Sequence, residues 1–135
     1  MKKYIGGIFL ILVLLIGTRA MTQRGPMEPR QEKKATVIIL EQLESALVAY
    51  KKDCGKFPTQ SEGLKALVEP NGSCQGKSMH WPYFKKFPVD GSGKAFEYLN
   101  DGKKIRVGTN EDQIKAGHNL YFECEIESSQ CKNSF

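Results

Sequence analysis

Apolar positions along the chain change their spacing several times, and each change predicts an element. Residues 5–16 form an almost unbroken apolar run behind Lys2 and Lys3. From about Glu32 to Asp53 the period becomes three to four. Val37, Leu40, Leu43, Leu47 and Tyr50 share one stripe, with Glu41, Glu44, Lys51 and Lys52 off it, which predicts a helix with one core-facing side. Asp53-Cys54-Gly55 is a stop signal, because glycine takes the left-handed conformation that ends a helix without a Cβ clash. Thr59 and Glu62 then have capping-box spacing, and Pro70 forbids continuation, so a second, short helix is expected between them. From Ala95 the period becomes two. Phe96, Tyr98 and Leu99 lead to Asn100-Asp101-Gly102, and Ile105 and Val107 follow, which predicts a hairpin. A further strand over residues 119–127 alternates Leu120, Phe122, Cys124 and Ile126 with Tyr121 and three glutamates. One face is apolar and the other acidic, as in an antiparallel sheet half-buried against a helix. The predicted class is α+β, a long N-terminal helix packed on a three- or four-stranded antiparallel sheet.

The 135 residues accommodate one domain with a single core. Two lysines, the apolar run and Gly17-Thr18-Arg19-Ala20 have the layout of an export signal. The run is shorter than the roughly 20 residues of a membrane span. Residues 1–20 thus read as a signal peptide cleaved after Ala20 or as a short anchor over residues 4–17, with a processed prepilin leader as the third option. Residues 21–31 hold Gly25, Pro26 and Pro29 among polar side chains and read as a linker, leaving 32–135 as the globular domain. The net charge of +5 includes Lys2, Lys3 and Arg19 of the leader, and the remaining lysines come in scattered pairs near acidic residues. Nucleic acid is not implied.

Export favours disulfides for Cys54, Cys74, Cys124 and Cys131. Three pairings exist. The local one, Cys54 with Cys74 and Cys124 with Cys131, is preferred because each pair flanks a turn-rich loop, and closing the first loop is worth about 3 kcal/mol in the chain-entropy model. Zinc and redox chemistry are disfavoured by the absence of a C-x-x-C motif and of ligand spacing at His80 and His118.

The chain shows no sign of an enzyme. Gly91-Ser92-Gly93 is too short for a nucleophile elbow and reads as a turn, and no phosphate-binding loop is present. Glu111 and Asp112, expected in an irregular stretch between strands, are weak calcium candidates, since that ion takes six to eight oxygens. Trp81, Pro82, Tyr83 and Phe84 form an aromatic cluster that covers a core edge or offers a contact platform.

Three pieces of sequence in order carry a family resemblance. The first runs from Leu43-Glu44-Ser45-Ala46-Leu47 through Tyr50-Lys51-Lys52-Asp53, Gly55, Pro58-Thr59 and Glu62-Gly63-Leu64 to Leu67-Val68. Trp81-Pro82-Tyr83 with Lys85-Lys86-Phe87-Pro88, Asp90, Gly93 and Tyr98 is the second, and Gly108-Thr109-Asn110 the third. Over residues 34–112 the chain resembles the major pseudopilin of type II secretion systems. The resemblance implies a pilin-like fold and a non-enzymatic, structural role in protein export. It implies assembly with other pseudopilins or secretion-system proteins, homo-oligomers included, in the periplasm, with membrane attachment only through the N-terminal segment. The alternative is a free periplasmic or secreted binding module on the same fold. The outer face of the helix over residues 33–52 and the cluster at 81–84 are the expected contact surfaces. The family also implies calcium between the last strands. Here the positions beyond Glu111 and Asp112 hold Lys115, Ala116, Gly117, His118 and Asn119, so the Cys124–Cys131 pair is expected to pin the C-terminal loop instead. At the prepilin-peptidase site, Ile11 or Leu12 stands where the family carries a glutamate.

Overall fold

A computed structural model describes residues 25, 27–69, 74 and 82–135. The leader, His80 and Trp81 lie outside the described residues, and so do the expectations that fall on them. Helix α1 spans Pro29–Cys54 and begins three residues before the predicted start, with Pro29 in its first turn. Proline suits that position, because its fixed φ is helical and its missing N–H would have no intrahelical partner. Gly55 ends the helix as expected: it adopts φ 80° and donates its N–H to the Lys51 carbonyl at 2.8 Å.

The capping box forms ahead of the second helix. The Thr59 N–H donates to Glu62 Oε2 at 2.8 Å, and the Glu62 N–H donates to Thr59 Oγ1 at 3.3 Å. The helix behind this box is a 3₁₀ helix over Gly63–Leu67. Gly63 sits at φ 53°, through which a right-handed α-helix cannot run, so only the tight turn remains. That turn still buries Leu64, Ala66 and Leu67 in the core.

Strands β1 (Glu97–Asn100), β2 (Lys104–Gly108), β3 (Tyr121–Glu125) and β4 (Cys131–Ser134) form an antiparallel meander in that order. The β1–β2 hairpin turns at Asp101, whose Oδ1 accepts from the Lys103 and Lys104 amides at 2.8 Å. These bonds hold the Asp101 carboxyl below its usual range. Pairing sets Tyr98 opposite Val107 and Val107 opposite Phe122, so the inward side chains meet in rows. Leu40, Leu43, Leu47 and Tyr50 of α1 close over Ile105, Val107, Phe122 and Cys124, all at most 1% exposed. Between β2 and β3 the irregular stretch expected around Glu111 is instead a short helix, α2 (Glu111–Lys115). Asn110 starts it by accepting from the Gln113 N–H at 3.1 Å, an N-cap legible in the residue types once its register is known.

Candidate assembly surface

The periodicity that buries one side of α1 leaves its opposite side bare. Ile38 is 53% exposed there and Val48 36%, with Glu41, Gln42 and Ser45 between them. Beside Ile38 an open groove of about 630 Å³ runs between this face and Tyr83, Phe84 and Lys85.

The aromatic wall of the groove is fixed. Tyr83 and Phe84 donate their amides to the Leu67 carbonyl at 3.0 and 3.1 Å. The Tyr83 hydroxyl donates to Asp53 Oδ2 at 2.5 Å, and its ring packs against Tyr50 at 5.8 Å between centroids. Both side chains are partly buried against the core, so they cover its edge and line the groove at once. Burial, with the Glu62 charge adding to it, pushes the Tyr50 phenol up to about 12. Burial raises the Tyr98 phenol further still, against the opposing hydrogen bond of Asn100.

Two polar anchors escaped the pattern reading. Thr36 is buried on α1, where its hydroxyl donates to the Glu32 carbonyl at 2.8 Å and accepts the Gly91 N–H at 3.0 Å. It is in phase with Leu40, Leu43 and Leu47, so phase rather than hydropathy was the available signal. The Gly91 backbone lies so close to α1 that an added Cβ would sit 2.2 Å from the Glu32 carbonyl oxygen. Its neighbour Asp90 organises the loop, accepting at Oδ1 from the Ser92 and Lys94 amides and from the Ser92 hydroxyl. The Gly91-Ser92-Gly93 segment is therefore a docked turn. Gln60 is the second anchor. Its side-chain amide donates to the Tyr98 carbonyl at 3.0 Å and accepts from the Asn100 N–H at 2.6 Å, occupying the free edge of β1 as a neighbouring strand would.

The structure joins Cys54 to Cys74 and Cys124 to Cys131. The second bond bridges residues directly opposite each other in β3 and β4. Glu111 and Asp112 do not converge on a common point as ligands. Both are exposed on the first turn of α2, and Glu111 pairs with Lys115 at 3.0 Å. Among the described residues no three His, Cys, Asp or Glu side chains come together as a metal would require. Among the described residues, the Glu111 and Asp112 carboxylates by themselves fall short of the six to eight oxygens that calcium takes. His118 acts through its backbone: its N–H donates to the Gln113 carbonyl at 2.8 Å, and its own carbonyl accepts from Thr109 Oγ1 at 2.5 Å.

The sequence profile of the type II secretion system protein G family matches residues 26–117, which include α1, the 3₁₀ helix, the β1–β2 hairpin and α2. The chain belongs to the type II secretion system protein G family. It is 34% identical over 101 residues to the core protein G of Pseudomonas aeruginosa, covering 72% of this chain and 71% of that protein. The core protein G of Vibrio cholerae is 32% identical over 112 residues, 77% of this chain and 76% of that one. For the Aeromonas hydrophila protein the figure is 32% over 98 residues, with 71% and 68% covered. As a member of the protein G family the chain is a structural pseudopilin of an envelope secretion machinery, and no relative favours the free binding module. Among the described residues no helix is long and apolar enough to cross a membrane.

Proposed function

We propose that the protein works as a non-catalytic subunit of a type II secretion assembly on the periplasmic side of the inner membrane, held there by residues 4–17. It packs against other subunits through the outer face of α1 and the groove beside Tyr83 and Phe84. The observation that carries this reading is the protein G family match over α1 itself, together with the apolar Ile38 and Val48 left bare on that helix. A rigid wall and a few exposed apolar side chains suit docking with little ordering cost. The two hydroxyls that line the groove are engaged in structural bonds, Tyr83 with Asp53 and Ser45 with the Glu41 carbonyl, which suits packing rather than turnover.

A photo-crosslinking residue placed at position 38 or 85 of the full chain, in cells making the secretion system, tests the surface. Crosslinks to a second copy or to another secretion component are expected, and Ile38→Glu should abolish export of the cargo while the domain still folds. Normal export with no crosslink at either position would overturn the proposed surface. Intact mass of the membrane fraction tests the anchor, and recovery only of soluble protein lacking residues 1–20 would remove it.

A further inference from the structure

The family match stops at residue 117, so β3, β4 and the turn between them lie beyond it. This C-terminal hairpin is held to the body by a residue from the matched part. Lys51, in the last turn of α1, extends its side chain to the β3–β4 turn. There its ammonium donates to the Ile126 carbonyl and to Ser129 Oγ, the latter at 2.6 Å. The third wall is the Phe57 ring, with its centroid 5.1 Å from Nζ. A carbonyl, a hydroxyl and an aromatic face form a cage suited to a cation, and the cation is supplied by the chain itself. The turn needs such a hold. Ser129 sits at φ 56°, a left-handed conformation that a residue with a Cβ adopts only when its surroundings enforce it. Its N–H donates to the Glu125 carbonyl at 3.0 Å while its hydroxyl binds Lys51.

We propose that Lys51 acts as a tethered cation that closes the C-terminal hairpin onto α1. The observations behind it are the cage around Nζ and the left-handed turn at Ser129 that the cage closes. The ammonium costs only the ordering of its own side chain, because it arrives with α1 when the core forms. It also couples the hairpin to α1, since Lys51 can reach Ile126 and Ser129 only when the helix is packed on the sheet. The inference is independent of how the subunit assembles.

The test is hydrogen exchange on the full chain purified in detergent with its disulfides intact. In Lys51→Met, the amides of residues 126–131 should exchange roughly tenfold faster, the effect of losing a hydrogen bond to a charged group. Lys51→Arg, which keeps a cationic donor, should stay within about threefold of the wild type. Ser129→Ala removes one partner without touching α1, and it should also speed exchange there if Lys51→Met fails to fold. Wild-type protection of this turn in Lys51→Met or Ser129→Ala would overturn the proposal.

Discussion

Tyr50 is 1% exposed, and its hydroxyl has no hydrogen-bond partner among the described residues. A desolvated hydroxyl without a partner costs free energy, whereas the ring that carries it packs against Tyr83 and fills the core. Tyr50→Phe keeps the ring and removes the unpaired atom. It should therefore be neutral or stabilising by up to about 1 kcal/mol in urea unfolding. The phenol's raised pKa gives the same residue a pH signature. A group whose folded value lies above its unfolded 10.0 adds stability that is present below pH 10 and is lost as pH rises towards about 12. Tyr98 shifts in the same direction, so denaturation midpoints should fall between pH 10 and 12, and less steeply in Tyr50→Phe. A Tyr50→Phe profile that fell as steeply as the wild type, or a loss above about 1 kcal/mol near neutral pH, would contradict this assignment. Residues of this kind mark where the sequence is mute. Periodicity placed Tyr50 inside, but nothing in it says whether a buried hydroxyl finds a partner, because the partner is chosen by tertiary contact.

At the scale of elements, strong periodic signals were legible and polar docking was not. The stripe on α1, the Gly55 stop, the Thr59–Glu62 box and the β1–β2 hairpin all arise from local physics within a few residues. The 3₁₀ geometry of residues 63–67 and the short α2 were missed, since both depend on backbone angles at single positions. The join between α1 and the 90–94 loop was missed for another reason: it is made by backbone contact. Gly91 is required there because no side-chain atom fits between its Cα and the Glu32 carbonyl. Gly91→Ala should therefore cost on the order of 2–4 kcal/mol, by forcing the loop off the helix or shifting both. Thr36→Val, which removes only the hydroxyl that accepts the Gly91 amide, should cost about 1–2 kcal/mol. Chemical denaturation of the two variants decides the point. If Gly91→Ala were as mild as Thr36→Val, the close approach would carry no energetic weight. The candidate surface was half legible for the same reason. The outer face of α1 comes directly from its period, but the groove needs Tyr83 and Phe84 to fold back onto the Leu67 carbonyl, a contact no local signal announces.

In the described residues one long helix is laid on one sheet, and the two covalent ties act on different parts of that arrangement. Cys54–Cys74 fastens the end of α1 to the segment that leads towards Pro82, whereas Cys124–Cys131 fastens the last strand to its neighbour. In the chain-entropy model a loop closed across 20 residues is worth about 3 kcal/mol, and one across 7 about 2.5 kcal/mol. Each should therefore raise the melting temperature by roughly 10 °C in a domain of this size. Loop length sets that ordering, but the two losses should differ in kind. Without Cys54–Cys74 the end of α1 loses its covalent hold, and the packing of Tyr50 against Tyr83 loosens with it. Without Cys124–Cys131 the β3–β4 register is still held by its ladder and by Lys51, so unfolding should stay a single transition. Paired Cys→Ala variants measured by calorimetry separate the cases. A Cys124→Ala/Cys131→Ala protein with unchanged melting temperature would show that the hairpin's order owes nothing to its disulfide. A second, low-temperature transition in that variant would show that Lys51 and the ladder cannot hold β4 alone.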